Sequence, residues 1–397
     1  MKNLPLFQLA AAATLCVCGA SAEIAVLLPA DKSQVVLIPD NQREMLKLAT
    51  HEERLAALNA DQKEKKTFFS EKALWRRAND VKFDWECTAE EKGPFKVLVS
   101  ETPDFAKPQI EVVDRKHHDG KPYTHVTIGG WQTNYKVGQT YYWKVTGYSK
   151  DGKTKVESPV ATFTTEDLPP RWIAIEGHVR NMRDLGGWRT ADGRRVKQGM
   201  VFRGQGLNDN SRDGEIPGRN RLTVADRDYL LNDLGIKTDL ELRSHRETAN
   251  MKSSPLGNSV QFIHHSSKAY RDIFSSTGMK IMADNIRVFC DEKNYPIYFH
   301  CIAGADRTGS LAFMLNGLLG VPLQYLGVDW ESTFYPNLPD NKDKGDLSYW
   351  CLLQHFTKGL EKYAKEGDTI QDRVVAYLTD CGITKEEMDK IRSIMLE

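Results

Sequence analysis

Two patterns of apolar and polar residues divide most of the chain. Between residues 81 and 167 the apolar residues come in short runs that alternate with polar ones, as in the Tyr-Tyr-Trp-Lys-Val stretch at 141–145, and turn residues separate the runs. A period of two is typical of strands that bury one face, and many short strands of this kind form two packed sheets. The pattern therefore predicts an antiparallel β-sandwich over residues 81–167.

A second pattern begins after Pro169 and Pro170, which predict a linker because proline fits neither a helix interior nor a central strand. Short apolar runs then alternate with longer stretches of helical periodicity. Thr223 and Asp226 resemble a capping box at the start of one helix, and Gly235 ends that helix. This alternation predicts an α/β domain over residues 168–397, with a central, partly parallel sheet flanked by helices. The predicted strands are 236–242, 260–264 and 296–299, and the main predicted helices are 279–289, 308–319, 370–379 and 385–396.

The first 22 residues have the pattern of a secretory signal. Lys2 gives a positive start, an apolar stretch covers residues 9–18, and Ala20-Ser21-Ala22 places small residues before the expected cleavage point. The apolar stretch is too short to span a bilayer, so we expect no stable membrane insertion. Cleavage after Ala22 predicts a secreted or periplasmic protein. Residues 23–80 mix strand and helix patterns, and we expect them to pack on the sandwich.

Charge and cysteine content exclude several classes of partner. The chain has 54 basic and 54 acidic residues, so no general excess of positive charge attracts nucleic acid or anionic lipid. The cysteines that remain after cleavage are odd in number and widely spaced, and no pair has the spacing of zinc ligands. We therefore expect no disulfide framework, no metal and no other cofactor. Any affinity for phosphate must come from a local site.

The strongest candidate for such a site is the segment 300–308, between a predicted strand and a predicted helix. Ligands bind where strands end and helices begin in sheets of this kind, because backbone amides and the helix dipole attract anions there. Gly304 permits a tight turn, and the guanidinium of Arg307 can hold two phosphate oxygens. The backbone expected to bind the phosphate belongs to Ile302, Ala303, Gly304 and Ala305.

Cys301 is the candidate nucleophile within this segment. The donors that hold a phosphate also stabilise a thiolate, which can attack phosphorus and form a thiophosphate that water then hydrolyses. Thr308 is expected to donate a hydrogen bond to the sulfur and so improve it as a leaving group. His300 is expected to face inward and bond the backbone of the loop.

The residues His300, Cys301, Gly304, Arg307 and Thr308 resemble the phosphate-binding motif of protein tyrosine phosphatases and their dual-specificity relatives. The segment Asn-Met-Arg-Asp-Leu-Gly-Gly-Trp-Arg-Thr at 181–190 resembles a motif of the bacterial branch of that family, which includes enzymes active on phosphotyrosine and phosphoinositides. The resemblance covers residues 175–395 and implies cysteine-dependent phosphatase chemistry. It also implies supporting roles for Asp239, Arg183 and Asp184. The preceding domain resembles a fibronectin type III domain.

Two features of this resemblance leave questions open. The general acid that protonates the leaving oxygen is either Asp306, within the motif, or Asp272, 29 residues before Cys301, and Asp239 is a candidate to orient the loop instead. Relatives usually carry lysine at the position of Ala305, where it helps to bind highly charged lipid headgroups. The alanine therefore favours phosphotyrosine or another phosphomonoester.

Other functions compete with this interpretation. A phytase-like enzyme acting on inositol polyphosphates or phosphoinositides would share the mechanism and could use Lys268, Arg271 and Lys280. An inactive protein that binds phosphorylated ligands, or an adhesion protein, would rely on the sandwich. The expected partners are phosphorylated proteins or small phosphorylated substrates, and not nucleic acid, while the oligomeric state is left open. Cys290 is a candidate to trap an oxidised Cys301 as a disulfide.

Overall fold

The computed structural model describes residues 24–48, 50, 52–54, 56–57, 78–87, 92–115, 124–128, 134–149, 151–176, 179–209, 219–333 and 358–397. The predicted signal peptide lies outside these residues.

Among the described residues, nine strands form two sheets in the N-terminal part of the chain. One sheet has the order β1-β3-β6 and the other has the order β2-β9-β7-β4-β5, with β8 also paired to β7. All pairs are antiparallel except β2 with β9, which is parallel. The strands are β1 (Ile24–Leu28), β2 (Ser33–Val35), β3 (Val81–Cys87), β4 (Lys92–Ser100), β5 (Gln109–Val113), β6 (His125–Ile128), β7 (Thr140–Tyr148), β8 (Lys155–Glu157) and β9 (Ala161–Thr165).

A single aromatic core joins these two sheets. Phe83 and Trp85 of β3 are buried, and their rings meet Trp143 of β7 at 5.1 Å and Phe95 of β4 at 5.5 Å between centroids. β1 and β2 belong to these sheets, so residues of the segment 23–80 pair with the strands of the predicted sandwich, and the domain boundary at residue 81 stays a prediction. The fibronectin type III resemblance remains a prediction.

The C-terminal part is built on a five-stranded sheet of order β10-β11-β14-β12-β13. Four of these strands are parallel, and only the edge strand β10 runs antiparallel to its neighbour. This confirms the predicted α/β arrangement with a partly parallel sheet. The strands are β10 (Arg183–Asp184), β11 (Val201–Gln205), β12 (Thr238–Glu241), β13 (Gln261–His264) and β14 (Ile297–Cys301).

Helices pack around this sheet, and their ends follow the sequence signals. The capping box of Thr223 and Asp226 is present, and Gly235 has a positive φ of 67° where that helical stretch ends. Among the described residues, no helix has both the length and the apolar character needed to cross a bilayer. The helices are α1 (Asp40–Leu46), α2 (Val224–Asp228, continued by a π-helical turn), α3 (Ser276–Val288), α4 (Asp306–Leu318), α5 (Leu323–Ser332), α6 (Ile370–Asp380) and α7 (Lys385–Met395).

The helix α4 is the centre of this layer. Its residues from Thr308 to Leu318 are all buried, so other elements cover the helix on every side. It approaches α5 closely at Gly309, where a Cβ atom would lie 2.5 Å from the ring of Trp330. The packing of α4 thereby fixes the position of its first turn, which carries Asp306 and Arg307.

The predicted linker is packed between the two units instead of being free. Pro169 and Pro170 are buried, and the carboxylate of Asp167 pairs with Arg195 at 2.6 Å. The guanidinium of Arg171 donates to the backbone carbonyl of Asn134 at 2.7 and 3.0 Å. These contacts join the two-sheet unit to the start of the α/β domain.

The parallel strands bring their carboxyl ends to one edge of the sheet. Cys301 lies opposite Gln205 in the register of β14 and β11, and His300 lies opposite Glu241 in the register of β14 and β12. Since ligands bind at the carboxyl ends of parallel strands, this edge is where a site is expected. The segment 301–307 lies at the centre of the edge and is called the loop below.

Candidate active site

Cys301 occupies the last position of β14, and the loop that follows leads directly into α4. Its side chain is 1% exposed, so the sulfur is shielded from bulk solvent. Asp306 is the first residue of α4 and Arg307 the second. The cysteine therefore lies between a strand end and a helix start, as the sequence predicts.

The loop is attached to its surroundings through its carbonyl groups. The amide of Gly206 donates to the carbonyl of Ile302 at 3.4 Å. Asn181 donates from Nδ2 to the carbonyls of Ala303 and Gly304 at 3.1 and 3.0 Å. The guanidinium of Arg203 is the third donor group, at 2.9 Å from the carbonyl of Gly304. Three successive carbonyls are thus bound on one side of the loop.

The direction of these carbonyls fixes the direction of the amides. The cis peptide bonds of the described residues all precede proline, so the peptides of the loop are trans. In a planar trans peptide the N–H points in the opposite direction to the C=O. The amides of Ala303, Gly304 and Ala305 therefore point away from the groups that bind the carbonyls. No hydrogen bond from these three amides is found within the described part of the chain. Converging free amides of this kind form an anion-binding nest.

Gly304 is required by both backbone conformation and space. Its φ of 68° lies in the left-handed region that glycine adopts at no steric cost. A Cβ atom at this position would lie 2.4 Å from the backbone of Gly204 on β11. A side chain here would push the loop away from the strand that supports it.

Two buried arginines and one aspartate hold the groups that bind the loop. Arg183 pairs with Asp329 at 2.8 Å and also donates to Oδ1 of Asn181. Arg203 pairs with the other oxygen of Asp329 at 2.6 Å. Burial and the charge of Arg183 lower the pKa of Arg203 to about 10, and Asp329 opposes that shift. Arg203 is thus buried in an ion pair on the scaffold side of the loop.

His300 has a different partner from the one expected. Its ring lies against carboxylates instead of the loop backbone, because β12 lies beside β14: Nε2 is 2.8 Å from Asp239, and Nδ1 is 3.7 Å from Glu241. Asp239 also accepts a hydrogen bond from Ser254 at 2.6 Å. Burial alone would lower the pKa of His300, but the charges of Glu241 and Asp239 outweigh it and raise the pKa. Asp239 thus orients His300 next to Cys301.

Arg307 is held by Glu247. Two guanidinium nitrogens of Arg307 donate to the carboxylate at 2.7 and 3.1 Å, and the amide and hydroxyl of Ser244 donate to the same carboxylate. Burial would raise the pKa of Glu247, but these donors lower it to about 2. The arginine keeps a fixed orientation at the start of α4 because its partner is itself held on two sides.

The two candidate acids differ in position. Asp306 is half-buried in the first turn of α4, and its Oδ1 accepts a hydrogen bond from the hydroxyl of Tyr270. Asp272 is exposed on the 3-10 turn Tyr270–Phe274. The hydroxyl of Thr308 is buried and has no hydrogen-bonding partner among the described residues, so the expected bond to sulfur is not formed here.

A profile of the tyrosine phosphatase family matches residues 173–397, more than half of the chain. The chain belongs to the tyrosine phosphatase family. A tyrosine-protein phosphatase from Nostoc commune is 32% identical to it over 134 residues, covering 26% of this chain and 41% of the relative. The matched part thus spans less than half the length of that relative. The family match and this relative together support a phosphatase, which is a hydrolase.

One solved structure is also similar in part. It is the core catalytic domain of the PP-IP phosphatase SIW14 from S. cerevisiae in complex with citrate, with 16% identity and coverage of 38% of this chain and 88% of that one. Its TM-score of 0.23 is too low to carry an argument about fold or function.

One of the two supporting roles that came with the family resemblance needs correction. Asp184 does not contact the loop, because its carboxylate is used by Arg171 at 2.9 Å and by the amides of Gly186 and Gly199. It holds Arg171, whose guanidinium donates to Asn134 of the two-sheet unit. Arg183 does support the loop, and it does so through Asn181.

The hypothesis that Cys290 traps an oxidised Cys301 stays a prediction, and the surroundings of Cys290 do not favour it. The sulfur of Cys290 contacts the carbonyls of Ile286 and Glu387 at 3.9 and 3.7 Å, near Tyr295, which precedes β14. Cys301 is the last residue of β14. At ~3.3 Å per residue it lies about 13 Å from the first residue of that strand. Burial raises the pKa of Cys290 to about 11, so its thiol is a poor nucleophile.

The sequence did not reveal several residues that the structure brings to this site. Asn181 lies in a recognised motif, but its partner Ala303 is 122 residues away in the chain, and Glu247 is 60 residues from its partner Arg307. Asp329 and Tyr270 carried no signal of their own. Among the described residues, no group of three or more His, Cys, Asp or Glu side chains is arranged to hold a metal ion.

The lowered pKa of Glu247 predicts how the free energy of unfolding depends on pH. Its pKa is about 2 in the folded state and 4.5 as the ordinary value, so its contribution to the free energy of unfolding is complete above pH 4.5 and is lost as pH falls towards 2. We expect Glu247→Gln to be less stable than the parent at pH 7 and the difference to shrink below pH 4.5. Urea unfolding of both proteins across this range measures it. A difference that does not change with pH would contradict the assignment.

Proposed function

We propose that this protein is an exported cysteine-dependent phosphatase that hydrolyses phosphomonoesters, with phosphotyrosine as the preferred class. The observation that carries the proposal is the direction of the three free loop amides, which face away from the bound carbonyls of residues 302–304. A dianionic phosphate group fits such a nest, with Cys301 at one end of the loop and Arg307 at the other.

The guanidinium groups of Arg203 and Arg307 both interact electrostatically with Cys301. Arg203 is buried and held by Asp329, whereas Arg307 is partly exposed and held by Glu247. We assign Arg307 to the phosphate oxygens and Arg203 to the scaffold that supports the loop.

The first chemical step transfers the phosphoryl group to sulfur. An electron pair of the Cys301 thiolate forms the S–P bond while the bond from phosphorus to the ester oxygen breaks, and that oxygen takes a proton from Asp306. In the second step water attacks phosphorus, its proton returns to Asp306, and the S–P bond breaks to release the thiolate and inorganic phosphate. Rotation of the Thr308 hydroxyl towards sulfur would assist this departure.

Asp306 is a better candidate than Asp272 for the general acid. It lies in the first turn of α4 next to Arg307, and a hydrogen bond fixes one of its oxygens. Asp272 is exposed on a turn. Asp306 would therefore lie beside the phosphate group that the loop holds. Among the described residues, the carboxylate of Asp272 has no such support.

The substrate class and the location follow from the sequence. Ala305 adds no charge at the position where relatives carry lysine, which disfavours inositol polyphosphates and phosphoinositides. The net charge of zero gives no general attraction for polyanions. Export rests on the signal pattern of residues 1–22.

Hydrolysis of para-nitrophenyl phosphate tests the nucleophile. We expect residues 23–397 to release para-nitrophenol under reducing conditions without metal and Cys301→Ser to lose this activity by more than about a thousand-fold, because the serine hydroxyl is a much weaker nucleophile than a thiolate. Cys381→Ser is the matched control and should keep full activity. Equal rates for Cys301→Ser and the parent would exclude the cysteine mechanism, and a folded but inactive parent would exclude the enzyme.

The leaving-group dependence of kcat tests the acid. A good leaving group such as para-nitrophenolate needs little protonation, whereas phenolate from phenyl phosphate needs more. We therefore expect Asp306→Asn to lose about a hundred-fold in kcat on phenyl phosphate and much less on para-nitrophenyl phosphate. The same selective loss in Asp272→Asn, with Asp306→Asn unaffected, would assign the acid to Asp272.

A further inference from the structure

Tyr270 reaches the loop from a different part of the chain. It begins the 3-10 turn Tyr270–Phe274, which precedes α3, and its hydroxyl donates to Oδ1 of Asp306. The two residues are 36 positions apart in sequence. The contact is therefore a product of the fold and not of a local turn.

The backbone of Tyr270 is fixed in an unusual conformation. Its φ is 54°, in the left-handed region that residues with a side chain rarely adopt. Its amide donates to the hydroxyl of Ser310 at 3.3 Å, and that hydroxyl donates to the carbonyl of Asp306 at 2.8 Å. The first turn of α4 thus holds the tyrosine at the backbone as well as at the hydroxyl.

The ring of Tyr270 is held by a buried neighbour. Its centroid is 6.1 Å from that of Trp330, with the rings in an edge-to-face arrangement. Trp330 is itself fixed because it packs against Gly309, next to the helix turn that carries Asp306. Side-chain motion of the tyrosine is therefore restricted at both ends of the ring.

The hydrogen bond leaves one oxygen of Asp306 available. Oδ1 is occupied by the tyrosine, and no hydrogen bond to Oδ2 is found within the described residues. A carboxyl group with one oxygen fixed can present the other in a constant direction, and this lowers the entropic cost of proton transfer.

We propose that Tyr270 is a positioning residue that holds the Asp306 carboxyl in the orientation needed to protonate the leaving oxygen. The inference rests on the proposed function, because it assigns a role within that reaction. It predicts that Tyr270 matters most for esters whose leaving group needs a proton, and that its hydroxyl, not its ring, carries the effect.

Tyr270→Phe tests this because it keeps the ring and removes the hydroxyl. We expect kcat on phenyl phosphate to fall by about ten-fold, a part of what a general acid contributes, and kcat on para-nitrophenyl phosphate to change by less than about two-fold. KM should change little for either substrate. Tyr363→Phe is the matched control, since the hydroxyl of Tyr363 also donates to an aspartate, Asp380, and both partners lie outside the site described above.

The outcomes separate this inference from the proposed function. Equal kcat of Tyr270→Phe and the parent on both substrates, or an equal fall on both, would overturn the positioning role. A selective fall in Asp306→Asn without one in Tyr270→Phe would also overturn it while leaving the proposed function intact. Retained activity in Cys301→Ser would instead defeat the proposed function. Thermal unfolding of each variant identifies a loss of activity that is caused by misfolding. If Tyr270→Phe misfolds, Ser310→Ala replaces it, because this change releases the backbone of Tyr270 and should give the same selective fall in kcat on phenyl phosphate.

Discussion

The site depends on the way in which three backbone carbonyls of one loop are bound. Because peptides are planar, fixing the carbonyls of residues 302–304 on the scaffold side fixes the amides of residues 303–305 on the other side. Asn181, Arg203 and Gly206 supply the donors, and Gly304 allows the loop to approach β11. The direction of the free amides is thus set by the groups behind the loop more than by the loop itself.

Buried charge is the second constraint. Burying an isolated arginine is costly, and in this protein the arginines around the loop are paired with carboxylates: Arg203 with Asp329, and Arg307 with Glu247. Such pairs contribute more to fixed geometry than to stability, since each partner restricts the other. The acids that pair with Arg203 and Arg307 therefore set the orientation of both guanidinium groups at the loop.

Much of the fold around the site could be predicted from the sequence, because its elements depend on residues that are neighbours in the chain. The capping box of Thr223, the strand that ends at Cys301 and the helix that follows all depend on neighbouring residues. The partners of His300 and Asp184 were predicted wrongly, because strand order and domain packing decide them. The roles of Glu247 and Tyr270 could not be predicted for the same reason, because their contacts join segments that are far apart in the chain. The parallel pairing of β2 with β9 is equally invisible to a pattern of alternating residues.

The central claim is that the phosphoryl group passes through Cys301, and trapping that intermediate tests it most directly. The protein would be mixed with labelled para-nitrophenyl phosphate, quenched within milliseconds, digested and analysed by mass spectrometry. We predict phosphate on the sulfur of Cys301 in the parent and none in Cys301→Ser. Turnover with the label on another residue, or with no phosphorylated protein in the burst phase, would contradict the account.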